Sequence, residues 1–397
     1  MGRFLWALLG SLTVACAVQS EDVFFGNLHS HTRNSDGSGT PDEAYKYARD
    51  VGKLDFLAIT DHNHQAAEEG AGERKDGILI AKKHSLYEKN ARHNSTIDVA
   101  STINETPGFL ALYGQEFSSI SKGNHINVFD VPLVIDDAQV PNGDFKGLIA
   151  WIENAAHFDS TGQKAILQFN HPSASLRGAK VEYGMQQFGS QQTWIDTMGK
   201  YTCLIEILNG PGTHNVNGAK PEVFESDYFH YLRLGFRVAP SGDQDNHYKT
   251  WGTETNARTG VIAEELTKKA ILAAIRARHV YATDSPQLKV IIKGSVNGQS
   301  FMCGDVVKAN AGTMVHVQCA IQDDDDSNAA FSIEPIIGEI GSEKPLQKEP
   351  LQHTVDKAEF DVKYEGGRRY FVFKITEETE HNRKGVAWTS ALWIDPQ

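Results

Sequence analysis

The sequence predicts an α/β domain followed by a small all-β, sandwich-like domain, on three observations. From residue 23 to about 285, short apolar runs alternate with polar turns and helix-like stretches, the pattern of a parallel sheet, open or closed into a barrel. Beyond Pro286, short β-like runs follow one another with no convincing helix between them. At 397 residues the chain is also too long for one small core.

The first element reads as a secretory leader, with an uncleaved N-terminal anchor as the alternative. Arg3 supplies a short positive region, Phe4–Val14 an apolar stretch, and Ala15-Cys16-Ala17 a small-residue cleavage site. This predicts a signal peptide over residues 1–17 and a secreted or periplasmic protein. Cys16 after Thr-Val-Ala also resembles a lipoprotein processing site, which would leave the protein tethered. No later segment approaches the ~20 apolar residues of a membrane span.

In residues 18–286 the strand-like runs are Phe24–Leu28, Leu54–Thr60, Phe109–Tyr113, Ile126–Val131, Ala165–Phe169, Cys203–Ile207 and Phe236–Ala239. Thr40-Pro41-Asp42-Glu43 opens a helix, with Thr as cap, Pro in the first turn and acids following. Further helices are expected over Lys146–Ala156, Glu222–Leu234 and Leu266–Arg276. In residues 287–397 the β-like runs are Leu288–Ile292, Met314–Ile321, Phe360–Tyr364, Tyr370–Ile375 and Ala387–Ile394. The Asp323–Asp326 run lacks the spaced glycine and distal Glu of a calcium-binding hand and reads as a solvated loop.

Composition narrows the function classes. Hydrophobic content of 40% and charged content of 22% are those of a folded soluble protein. A net charge of -13 argues against a nucleic-acid partner, whose phosphates demand a basic patch. A small anionic substrate stays open, because bound divalent cations would reverse the local sign. Cys203 lies in an apolar run as an inert thiol, whereas Cys303 and Cys319 are candidates for a disulfide in an oxidising compartment. Asn94-Ser95-Thr96 and Asn104-Glu105-Thr106 are glycosylation sequons in one polar stretch. Neither a Gly-x-Ser-x-Gly elbow nor a P-loop occurs.

The chemistry lies in the placement of histidines and carboxylates. In barrels and open α/β sheets functional groups gather at the C-terminal ends of parallel strands. His29 and His31 close the first run, Asp36 follows in its loop, and Asp61-His62 ends the second. Glu116 follows the third, His171 the fifth, and Asp243, Asp245 and His247 the seventh, while His125 opens the fourth. Residues two apart on a strand project to one side, so His29 and His31 can bind one ion together. A single such histidine is ordinary; five or more at successive strand ends point to a metal centre. Imidazoles and carboxylates without cysteine suit zinc, manganese or iron.

His29-Ser30-His31, Asp36, Thr60-Asp61-His62-Asn63, Gly114-Gln115-Glu116, Asn170-His171-Pro172 and Gly242-Asp243 resemble the successive motifs of the PHP (polymerase and histidinol phosphatase) superfamily. The resemblance covers residues 23 to about 285 and implies a distorted (βα)7 barrel holding two or three divalent ions at its mouth. Arg258-Thr259-Gly260-Val261 through Arg278-His279-Val280-Tyr281-Ala282-Thr283 is similar to a branch that includes carbaryl-type hydrolases. The family pattern places one ion on His29, His31, Glu116 and Asp243, with Glu116 bridging to a second on His125 and His171. A third would use Asp36, His62 and a histidine two residues beyond the final Asp. Counted from Asp243 that position is Asp245, so either Asp245 replaces the histidine or His247 reaches in.

Two ions ~3.5–4 Å apart share a water, generate hydroxide at neutral pH and clamp the electrophile's oxygens. Glu116 and Asp243 are then the expected catalytic carboxylates, with Arg33 and Arg177 as bidentate contacts to an anionic ester. Asp61 is expected to orient a ligand from behind, and Glu206 and Asn209 to contact a ligand or the substrate. His64 reads as a polar loop residue, and the remaining histidines fit no motif. Three functions stay open: a metal-dependent phosphoesterase, a metal-dependent hydrolase of carboxylic esters, carbamates or amides, and a non-catalytic binding protein with a degenerate barrel.

Overall fold

Strand Asp22–Asn27 organises the sheet, and the directions of its neighbours decide the architecture. It pairs in parallel with Phe56–Ile59, which pairs in parallel with Leu110–Phe117. On its other side it runs antiparallel to Arg258–Ala263, and that strand is antiparallel to Val280–Thr283. The structure is a computed structural model and describes residues 21–63, 73–75, 78–80, 95–117, 125–135, 139–154, 165–172, 183–212, 215–378 and 384–397. The leader-like residues 1–17 lie outside these.

The expected (βα)7 barrel with a separate small β domain is not what forms. The chain is sheet-rich, with six α-helices among the described residues, a mixed sheet of 17 strands and a second sheet of four. Two departures from alternating β/α order produce this. Leu110–Phe117, Ile126–Phe129 and Ile166–Phe169 are successive antiparallel neighbours before the sheet returns to parallel pairing with Thr202–Asn209 and Ala239–Gly242. Only residues 118–125 join the first two, fewer than the dozen or so that a parallel crossover needs.

The second departure is at the C-terminal part, which is not a separate layer. Val280–Thr283 pairs with Lys384–Thr389, which pairs with Arg369–Glu378 and so draws Ala330–Glu339, Leu392–Pro396 and Val306–Ala309 into the same sheet. Leu288–Val296, Gln299–Met302, Met314–Asp323 and Lys357–Lys363 form the four-stranded sheet. Its inward residues Val290, Ile292, Val315 and Val317 share one core with Val23, Phe25, Ile262 and Tyr281 from before Pro286.

Local signals served better than topology. Thr40 caps helix Pro41–Asp50 with a capping box to Glu43, worth about 1 kcal/mol, and Ala44, Tyr45 and Ala48 bury its inner face. The other expected helices form over Phe145–Glu153, Glu225–Leu234 and Lys268–Ala277, the first capped by Asp144 and the last by Thr267. Helices Thr96–Ile103 and Gln191–Met198 lie where none was expected.

Cys303 and Cys319 are free, buried thiols and not a disulfide. Ile292 lies between them, paired with Cys319 on one side and accepting the Cys303 N–H on the other. Two strand spacings, ~9–10 Å, exceed the Cα separation a disulfide spans. Asn94 lies outside the described residues, while the Asn104 amide is bonded to both the N–H and the C=O of Ala111.

Candidate metal centre

The two-residue spacing of His29 and His31 is put to use where the first strand ends. His31 N–H donates to Asn246 C=O at 2.8 Å, and Trp251 Nε1 donates to His31 C=O at 3.1 Å, so the loop after Ala239–Gly242 clamps this segment. Asp61 holds the next turn, accepting from Thr32 N–H and Thr32 Oγ1 at 2.7 Å each and from Ser35 Oγ at 2.6 Å. It orients the loop carrying Asp36 and is not itself among the ligating groups.

Among the described residues, three His/Asp/Glu groups converge closely enough to hold a metal ion: His29, His31, Glu116 and Asp245; His62, Glu116 and His125; and His31, Asp36, His62 and His247. The groups share ligands, so they form one centre. Glu116 is its middle. Its Oε1 lies 3.3 Å from His29 Nε2, 3.0 Å from His125 Nδ1 and 3.5 Å from His171 Nε2, and its Oε2 lies 3.4 Å from His31 Nε2 and 3.0 Å from His62 Nδ1. The floor residues His29, His31 and Glu116 are 0–1% exposed, whereas Asp36, His125, His171, Asp245 and His247 are 15–21% exposed and form a rim open to solvent.

The donor set fits a cation. Asp245 Oδ1 is buried without a hydrogen-bond partner, yet lies 3.1 Å from His29 Nε2 and 3.0 Å from His31 Nε2. Three potential donor atoms so close together are what a shared cation would satisfy. Two tautomers are fixed from behind. His29 Nδ1 lies 2.7 Å from Glu206 Oε1, and His247 Nδ1 lies 2.7 Å from Asp245 C=O and 3.1 Å from Gly212 C=O. In each ring the proton belongs on Nδ1, leaving Nε2 to face the centre.

One neutral imidazole has one lone pair, so His31 and His62 cannot serve two ions each. His31 Nδ1 is 3.3 Å from Ser35 Oγ, which leaves its Nε2 for the group with His29. His62 lies between, with Nδ1 toward Glu116 and Nε2 3.6 Å from Asp36 Oδ2.

The electrostatics agree with this crowding. Burial opposes a charged His29, but Asp245, Glu116 and Glu206 outweigh it and raise its pKa well above the ordinary range. Burial and the neighbouring His247 push His31 down to about 4. Burial also opposes ionised Asp36 and Glu116, yet the facing histidines hold both well below the usual carboxylate range.

Asp243, expected to share an ion with His29 and His31, lies apart from them. It joins no ligating group; its Oδ1 accepts Leu28 N–H at 2.5 Å and its Oδ2 accepts Gln168 Nε2 at 3.1 Å. Burial, with Glu206 nearby, pushes its pKa up to about 7. Asp245 stands where Asp243 was expected, and His247 is the histidine two residues beyond it. The cause is local. The ladder slips between Ser241 and Gly242, where a Cβ on Gly242 would come within 2.5 Å of Arg258 C=O, and Asp245 takes a left-handed φ of +49°.

Of the other expected residues, His171 reaches Glu116 without completing a ligating group, and Arg33 lies exposed on the loop between His31 and Asp36. Arg177 and His64 lie outside the described residues. Asn209 donates to Glu206 Oε2 at 3.1 Å. His279 and His316 pair with Asp305 and Asp361, away from the centre. Gln168 was not singled out from the sequence, and Asn170 only as part of the Asn170-His171-Pro172 motif; Asn170 Nδ2 donates to Glu116 Oε1 at 2.9 Å. Their signal was two amides at alternate positions in and beside an apolar run, facing inward with His171's neighbours.

No family model matches the chain, and no curated protein matches it. Among solved structures it is similar to the PmoD soluble domain from Methylocystis sp. ATCC 49242 (Rockwell), at 8% identity and a TM-score of 0.20, over 27% of this chain and 90% of that one. No helix of the described residues is long and apolar enough to cross a membrane.

Proposed function

We propose that this chain is a metal-dependent hydrolase of phosphate esters, with two or three divalent ions at the centre built around Glu116. The observation that carries the reading is Glu116 itself, a buried carboxylate faced on both oxygens by five imidazole nitrogens. His29, His31, Glu116 and Asp245 would hold one ion, Glu116 and His125 with His171 beside them a second, and Asp36, His62 and His247 a third. Imidazole and carboxylate donors without thiolate suit zinc, manganese or iron. Such ions lower the pKa of a bound water and neutralise charge developing on the ester oxygens.

The protein's own part is to bind, orient and neutralise. Glu206 and the carbonyls of Asp245 and Gly212 fix two imidazoles as Nε2 donors, and Asp61 sets the turn that presents Asp36. Arg33, exposed on the same loop, supplies a fork for a phosphate or carboxylate. The motif resemblance to the PHP superfamily supports phosphate esters as the substrate class. It is carried by ligand residues and not by the sheet topology.

The test is metal content of the purified chain, with turnover of p-nitrophenyl phosphate, its bis-ester and naphthyl acetate from one preparation. At least ~2 equivalents of metal and phosphoester turnover that chelator abolishes are expected. Turnover of the carboxylic ester or a carbamate alone would move the protein to the other hydrolase class. Metal below one equivalent after reconstitution, with no turnover, would leave a binding protein.

A further inference from the structure

We infer that Glu206 is a positioning residue that holds two histidines of the centre at once, His29 through its ring and His171 through its backbone. The inference rests on the metal-centre reading above and concerns how that centre is kept in register. Glu206 lies on strand Thr202–Asn209 and is fully buried. Its Oε1 is 2.7 Å from His29 Nδ1 and 3.4 Å from Gln168 Nε2; its Oε2 accepts the His171 N–H at 2.5 Å and Asn209 Nδ2 at 3.1 Å.

Both oxygens are needed because His29 and His171 are met on different ones. An ionised carboxylate accepts on both oxygens, whereas an amide offers one acceptor and turns donors toward the other side. Through Oε1, Glu206 keeps the His29 proton on Nδ1, so that Nε2 faces Glu116 Oε1 and Asp245 Oδ1. Through Oε2 it holds His171 at a φ of +29°, a conformation non-glycine residues rarely adopt. That backbone turn is what brings His171 Nε2 to 3.5 Å from Glu116 Oε1. The two histidines both approach Glu116 Oε1, their ring centroids 5.9 Å apart, and one carboxylate behind them ties both.

A merely structural buried acid would be satisfied by any neighbour that supplies hydrogen bonds. A positioning acid makes metal binding depend on it. Glu206→Gln retains size and shape but presents its amide N–H to either His29 or His171, so one of the two links must break.

Metal-free wild type and Glu206→Gln, compared first by circular dichroism, are titrated with Co²⁺ followed by its visible absorption, and with Zn²⁺ against a chromophoric chelator. Affinity for at least one equivalent should fall ~10–100-fold in the variant, with a changed Co²⁺ band pattern. Glu206→Asp, which keeps two acceptor oxygens, should recover part of the affinity. Unchanged affinity and spectrum in Glu206→Gln would overturn the inference and leave the metal centre standing. Failure of the wild type to bind Co²⁺ or Zn²⁺ would overturn the centre, and this inference with it. Should the variant not fold, zinc-loaded wild type labelled with ¹⁵N-histidine decides the matter: His29 is expected as the Nδ1–H tautomer, and an Nε2–H signal would overturn the inference.

Discussion

His29 and His31 present their Nε2 atoms to one another across 3.3 Å, and the Oδ1 of Asp245 lies within 3.1 Å of each. At most one hydrogen can lie between two such nitrogens, and none bonds the carboxylate oxygen in good geometry. An ion at their meeting point satisfies all three lone pairs. It is Asp245, and not Asp243, that converges with His29, His31 and Glu116.

Two asparagine substitutions separate these acids. Asp245→Asn removes a charge from the centre and should lower metal content by about one equivalent. Asp243→Asn should keep its metal, because the side chain joins no ligating group; its amide oxygen can still accept Leu28 N–H, but its N–H then meets the Gln168 donor, at a stability cost of about 1–3 kcal/mol. Metal analysis after dialysis and a urea melt check both; equal metal loss would return Asp243 to the ligand set.

Glu116 is faced by five imidazoles, whereas His247 meets two carboxylates, Asp36 at 3.4 Å and Asp245 at 3.8 Å. Glu116→Gln should therefore depress phosphoesterase turnover further than His247→Ala, by ~100-fold or more against about tenfold. Steady-state rates at saturating metal read the difference, and matching losses would give the third group equal weight.

Metal binding should release protons. Partial desolvation at the rim opposes a charged His247, but Asp36 raises its pKa to about 9. Below that pH the metal-free ring is protonated, and an ion must displace the proton to reach Nε2. Affinity at this group should fall about tenfold for each unit that pH drops below 9. The same shift stabilises the metal-free fold below pH 6.5, and that contribution fades as pH rises through about 9. Calorimetric titrations in buffers of different ionisation enthalpy count the protons; heats independent of buffer would contradict this.

The buried cysteines should be silent. Burial pushes Cys203 up to about 11 and Cys319 up to about 12, and Cys303 higher still. Iodoacetamide at neutral pH should leave all three unmodified in the folded protein and label them in denaturant. Peptide mapping would expose a Cys303–Cys319 disulfide if one forms.

Much of the centre was legible because its members sit at strand ends. His29, His31, His62, Glu116 and His125 are polar residues abutting apolar runs, and that contrast survives in a bare sequence. The supporting shell was less visible. Gln168 and Asn170 look like ordinary strand polars until the fold shows them facing Glu206 and Glu116. Nor did apolar runs reveal strand direction, since a parallel and an antiparallel neighbour bury the same residues. The runs Phe109–Tyr113 and Ile126–Val131 leave about a dozen residues between them, and only the extension of the first strand to Phe117 shortens the connection to 118–125.

By itself the sequence determined what neighbours along the chain determine: the Thr40–Glu43 cap, the common side shared by His29 and His31, and a donor set of imidazoles and carboxylates. Tertiary structure alone decided the mixed 17-stranded sheet and the choice of Asp245 over Asp243. Two-residue periodicity holds only while the backbone stays extended. At Gly242 the ladder slips against Leu208, and at Asp245 φ turns positive, because contacts with distant segments outweigh local geometry there.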